Sequence, residues 1–153
     1  MSKVKVLFVC TFRGGRARIA EIIANELVST DIAFYASGFE SGAIGGLCQK
    51  VMQEDGFNFP DTPLKTVFER SFDKERFDFV VAMCDQVTYE NCSLLLESIS
   101  NIFSDSHPLT HWSVPDFSTL TGTDIERKQQ SEDIRDMIKT LVSNFLVDLD
   151  SGL

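Results

Sequence analysis

A chain of 153 residues that is 43% hydrophobic and 24% charged has the size and composition of one soluble globular domain, residues 1–153, around one core. Its net charge of −9 argues against a nucleic-acid partner, because phosphate backbones are held by clustered Lys and Arg; an anionic ligand would need a local positive site. The apolar run over 6–10 is too short for a signal-peptide core or a membrane span, so the expectation is a cytoplasmic protein with no membrane partner.

Residues 4–9 (VKVLFV) predict a buried strand. A loop over 10–15 follows, and Ile19, Ala20, Ile23 and Leu27 recur at helical spacing, which predicts a helix over about 16–29. Residues 31–36 predict a second strand. Residues 38–46 are a turn-rich lead into a helix with Ile44, Leu47, Cys48 and Val51 on one face, and 58–63 form a loop with Pro60 and Pro63. FDFVVAM, 77–83, is the strongest central-strand pattern and runs into Cys84. A loop continues toward Cys92, with a helix over 94–99 and a fourth strand over 110–114. Thr123-Asp124-Ile125-Glu126 reads as a capping box. It opens a long helix with the stripe Ile134, Met137, Ile138, Leu141, Phe145 and Leu146.

Strands that alternate with helices imply an α/β three-layer sandwich with a central four-stranded parallel sheet. Ligands in such folds sit at the carboxyl ends of the strands. Cys10, Cys84 and the segment after Val114 all lie at such ends, so three distant segments should converge on one edge.

Cys10-Thr11-Phe12-Arg13-Gly14-Gly15-Arg16 sets a Cys and an Arg five residues apart, between a strand and a helix. A loop that winds into a helix N-terminus points several backbone amides at one spot. Those amides and the helix dipole favour an oxyanion and promote the thiolate. Thr11, Phe12, Arg13, Gly14, Gly15 and Arg16 would bind the anion, Arg16 with a two-pronged grip, while Cys10 attacks its central atom. The competing reading is a buried strand-end Cys beside a solvated Arg. No CxxC pair exists among Cys10, Cys48, Cys84 and Cys92, so no metal site or other cofactor is expected. Cys48 reads as a core side chain.

VLFVCTFRGGRARIAEIIANE, YASGFES, VMQEDGF, FDFVVAMCDQVTYENC, HWSVPDF and LTGTDIE together resemble the low-molecular-weight tyrosine phosphatase superfamily over nearly the whole chain. The resemblance is closest to its thioredoxin-coupled arsenate reductases, and Cys84 with Cys92 is the discriminating pair. It implies that Cys10 attacks arsenate, Cys84 attacks Cys10 as arsenite leaves, and Cys92 then attacks Cys84. The resulting Cys84–Cys92 disulfide is handed to thioredoxin. Asp116 matches the general acid, His111 and Trp112 a recurrent pair in which Trp112 packs, and Glu21 a potassium ligand of some reductases.

The chain departs from that pattern inside the loop. Arg13 stands where Asn is usual, Gly15 where Cys is frequent, Ala17 where a hydroxyl normally donates to the nucleophile, and Phe117 where Pro follows the acid. Losing a charge-assisted hydrogen bond costs about 1.5–3 kcal/mol. The Cys10 pKa should therefore exceed that of a standard member unless Arg13 compensates. Ala36 and Leu64 fall at two further potassium-ligand positions, so Arg13 is expected to pair with the stranded Glu21 in place of the ion. The partners implied are arsenate or phosphate and thioredoxin. A small phosphatase, with Tyr89 lending an aromatic wall to the cleft, and a non-catalytic oxyanion-binding module are the competing readings.

Overall fold

The structure, a computed structural model, describes residues 3–28, 31–85 and 91–152. Tyr89 and the rest of the segment 86–90 lie outside the described residues. Four strands, β1 (Val4–Cys10), β2 (Ile32–Ser37), β3 (Phe79–Met83) and β4 (Thr110–Trp112), form a parallel sheet in the order β2-β1-β3-β4. Among the described residues five α-helices accompany them: α1 (Gly15–Leu27), α2 (Gly46–Glu54), α3 (Val67–Phe72), α4 (Cys92–Ile102) and α5 (Asp124–Gly152).

β1 is apolar without alternation because both of its faces are covered. Val6, Phe8 and Cys10 face a core built with Ala17, Ile19 and Ile23 of α1, Val51 of α2, and Ile134, Ile138 and Val142 of α5. Leu7 and Val9 face a second core with Val67 of α3 and Ile99 of α4. This is the expected three-layer α/β sandwich. No helix among the described residues is long and apolar enough to cross a membrane.

The elements differ from expectation in several places: β4 ends at Trp112 rather than at 114, and α4 runs Cys92–Ile102 rather than over 94–99. Cys10 belongs to β1 and pairs in register with Met83, so the nucleophile candidate sits on the sheet itself. β3 starts at Phe79, and Phe77 packs into the second core just before it. On α5, Met137 is 40% exposed while Val142 is fully buried, because the packed face climbs in steps of four through Ile134, Ile138, Val142 and Leu146. α3 was not expected at all. It is one short helix fixed by a capping box in which Thr66 and Glu69 exchange hydrogen bonds of 3.1 Å with each other's backbone N–H. The Thr123–Glu126 capping box forms as the sequence predicts, with bonds of 3.2 and 3.1 Å.

Candidate active site

The loop after Cys10 takes its shape from β2 as much as from its own residues. Phe12 adopts a left-handed φ of 55°, and its carbonyl accepts N–H groups from Phe39 at 2.7 Å and Glu40 at 2.9 Å. Gly14, with φ 86°, caps α1 and presents its bare Cα to Leu64: a Cβ there would lie 2.9 Å from Leu64 Cδ1. Gly38 lies under the loop, where a Cβ would come within 2.6 Å of the Arg13 carbonyl carbon and the Gly14 nitrogen. The YASGFE segment is thus the floor of the loop.

Cys10 is 1% exposed, and its Sγ accepts the Ala17 N–H at 3.4 Å. Burial pushes the Cys10 thiol up. The Arg16 charge and the N–H groups of Ala17 and Arg16 pull it down, and Asp116 pushes it up again. Burial is the largest of these effects, and the net direction is upward.

Arg16 is also 1% exposed. Its Nη1 donates to the Val114 carbonyl at 2.8 Å and its Nη2 to Thr11 Oγ1 at 2.6 Å, while Nε faces Asp116 Oδ1 at 3.7 Å. The guanidinium therefore ties the Cys10 loop to the segment after β4. Asp116 receives the Ser118 hydroxyl on Oδ2, and its carbonyl accepts Thr119 Oγ1 at 2.7 Å. Phe117 is buried and anchors the Phe117–Thr119 3-10 turn in the core, which holds the loop where Pro is usual.

Cys84 follows Met83 at the end of β3 and is fully buried. It is joined to Cys92, the first residue of α4, by a disulfide. Its N–H donates to the Trp112 carbonyl at 3.1 Å, and His111 Nε2 lies 2.9 Å from its carbonyl oxygen. The HW pair thus positions Cys84, with Trp112 packed against Phe8 and Phe145. A cleft of about 500 Å³ opens beside the loop, walled by Thr11, Phe12, Phe39, Leu94, Leu95 and Asp116. Sequence reasoning missed Phe39, Leu94 and Leu95, although YASGFES and the apolar face after Cys92 carry them.

The expected Arg13–Glu21 pair does not form. Arg13 Nη1 donates to the Ala43 carbonyl at 3.2 Å and its side chain lies along Gly42. Glu21 pairs instead with Arg18 Nη1 at 3.5 Å. Burial raises the Glu21 carboxyl, and Arg18 and Arg70 pull it back. Arg70, 6% exposed, reaches Ser37 Oγ at 2.6 Å, the Ala36 carbonyl at 3.1 Å and Glu75 at 2.8 Å. With Ala36 and Leu64 offering no side-chain oxygen and two guanidinium groups acting on Glu21, these residues do not fit a potassium ion.

A family model described as low molecular weight phosphotyrosine protein phosphatase matches residues 5–152. An arsenate reductase of Shouchella clausii is 25% identical over 145 residues, covering 95% of this chain and 96% of that protein. Among solved structures, a low molecular weight phosphotyrosine phosphatase from Vibrio cholerae O395 superposes with a TM-score of 0.72 at 18% identity, over 97% of this chain and 98% of that one. An arsenate reductase in a phosphate-binding state does so with a TM-score of 0.68 at 20% identity, over 95% and 98%.

Proposed function

We propose that this chain, which belongs to the low molecular weight phosphotyrosine protein phosphatase family, reduces arsenate through Cys10, Cys84 and Cys92 and is recycled by thioredoxin. The observation that carries this reading is the Cys84–Cys92 disulfide one strand away from Cys10. A phosphatase needs Cys10, Arg16 and Asp116 but has no use for that pair. The curated relatives include an arsenate reductase matched over 95% of this chain, and one fold neighbour is described as binding phosphate.

In this reading the amides of residues 11–16 and the Arg16 guanidinium hold the oxyanion over Cys10. The Cys10 thiolate attacks arsenic, Asp116 protonates the departing oxygen, and water leaves. Cys84 then attacks Cys10 Sγ. The sulfur–arsenic bond breaks with its electron pair going to arsenic, so arsenic(V) becomes arsenic(III) and arsenite is released. Cys92 attacks Cys84 Sγ and returns Cys10 as a thiolate. The disulfide formed is the one described above, and a thioredoxin dithiol reduces it. The working compartment is then the cytoplasm, where such dithiols are kept reduced, and residues 1–153 act as one domain.

The cleft favours a second reading. Phe12, Phe39, Leu94 and Leu95 beside the loop give an aryl phosphate ester an apolar wall. One experiment separates the readings: incubation with arsenate, thioredoxin, thioredoxin reductase and NADPH, beside an aryl phosphate assay, using Cys10→Ser and Cys92→Ala. Arsenate-dependent NADPH oxidation that requires Cys92 supports reduction. Aryl phosphate turnover that needs Cys10 but not Cys92, without arsenate reduction, replaces it with phosphatase action. Silence in both assays leaves an oxyanion-binding protein.

A further inference from the structure

The thiol of Cys48 does not sit in an ordinary stretch of core. It fills the space in front of Gly15, where a Cβ would lie 2.7 Å from Cys48 Sγ and 3.8 Å from Cys48 Cβ. Gly15 opens α1, and the same first turn supplies the Ala17 N–H that Cys10 Sγ accepts at 3.4 Å. Two sulfurs from different elements therefore lean on one helical turn. Cys48 and Cys10 are both buried in the same core, together with Ala17 of α1 and Val51 of α2. Once Cys84 and Cys92 are joined, Cys10 and Cys48 are the two thiols left.

We propose that Cys48 is a second reaction partner of Cys10: when a peroxide oxidises Cys10 in the disulfide form of the protein, Cys48 captures it as a Cys10–Cys48 disulfide. The step balances. The Cys10 thiolate gives an electron pair to one oxygen of hydrogen peroxide, the O–O bond breaks, hydroxide leaves and Cys10 becomes a sulfenic acid. Cys48 sulfur attacks Cys10 sulfur, the S–O bond breaks, and the departing hydroxide takes the Cys48 proton as water. Two thiols lose two electrons and the peroxide becomes two waters.

Cys48 is held as a buried thiol until it is needed. Burial and the Cys10 charge both push it up, and Arg16 pulls it down. Reaction within one packed turn then gains from proximity what a buried thiol lacks in acidity. The product blocks further oxidation of Cys10 to the irreversible sulfinic acid, and a dithiol reductant returns both thiols.

The test treats the full chain, with Cys84–Cys92 formed, with equimolar hydrogen peroxide, quenches with an alkylating agent and maps disulfide-linked peptides by mass spectrometry. The expected product joins the Cys10 and Cys48 peptides and disappears on dithiothreitol treatment. Cys48→Ala, with Cys48→Ser as the alternative should the smaller side chain fail to fold, should raise Cys10 sulfinic acid several-fold. Equal sulfinic acid in wild type and both variants with no such linked peptide overturns the proposal, and so does a peptide linking Cys10 to Cys84 or Cys92. Because the readout is the covalent product, a chain inert toward arsenate still decides it.

Discussion

Gly38→Ala is the sharpest test of the claim that the YASGFE segment, which runs on from β2, is the floor of the Cys10 loop. Gly38 does not occupy the left-handed region, so the substitution introduces no backbone strain of its own and acts only through space. The new methyl would land on the Phe12 carbonyl oxygen and within 2.6 Å of the Arg13 carbonyl carbon and the Gly14 nitrogen. All three are backbone atoms with no rotamer to yield. Overpacking of this kind costs about 1–3 kcal/mol. Moving the loop away also stretches the two hydrogen bonds that the Phe12 carbonyl accepts from Phe39 and Glu40, each contributing about 0.5–1.5 kcal/mol. The combined loss of about 2–6 kcal/mol should lower the melting temperature by about 4–24 °C in a chain of this length. Aryl phosphate kcat/KM should fall at least tenfold, since the displaced amides are those that would face the anion. A melting temperature within a degree of wild type, with turnover intact, would refute the reasoning.

Asp116→Asn should lower kcat for an aryl phosphate by about 10²–10⁴ with little change in KM, as expected for loss of a general acid, and steady-state kinetics will read it. Because burial drives the Cys10 thiol upward, its thiolate forms only as pH rises past the ordinary thiol value of about 8.5. The rate of Cys10 alkylation by iodoacetamide, followed by mass spectrometry, should therefore still be climbing there; a plateau below that pH contradicts the assignment. Opening the Cys84–Cys92 bond, which spans a sequence separation of 8, frees a short loop worth about 2.5 kcal/mol of chain entropy. Dithiothreitol should lower the melting temperature by about 5–10 °C, and should have no effect on the double variant Cys84→Ser, Cys92→Ser. Exchanging sodium for potassium at constant ionic strength should leave the melting curve unchanged, because Arg18 already occupies Glu21.

Much of the framework was legible because it depends on local pattern. The apolar run before Cys10, the glycines of the loop, FDFVVAM and the Thr123 capping box each name their element in a few consecutive residues. What was missed depends on residues far apart in the chain. α3 is too short for a helical stripe, yet Thr66 and Glu69 carried the same capping signal read correctly at Thr123 and Glu126. Met137 and Val142 are both apolar on one helix, and only the path of α5 across the sheet decides which is buried. Charge balance correctly required a cation for Glu21. Reach decided which one: Arg18 lies one helical turn away, whereas Arg13 is drawn to the Ala43 carbonyl. Cys48 read as core because its neighbour, Gly15, has no side chain to advertise the contact.

The cleft beside the loop shares a wall with the helix that begins at Cys92: Asn91, Leu94, Leu95 and Ser98 line it together with Thr11, Phe12 and Asp116. A molecule lodged there therefore touches both the anion loop and the body tethered by the disulfide. By thermodynamic reciprocity, any preference of that molecule for one state of the Cys84–Cys92 couple must reappear as an equal shift of the couple's midpoint potential. A tenfold difference in affinity corresponds to about 30 mV for two electrons. Occupancy of the cleft and the electron affinity of the protein are then two readings of one free energy, and a redox titration with and without cleft ligand measures it directly.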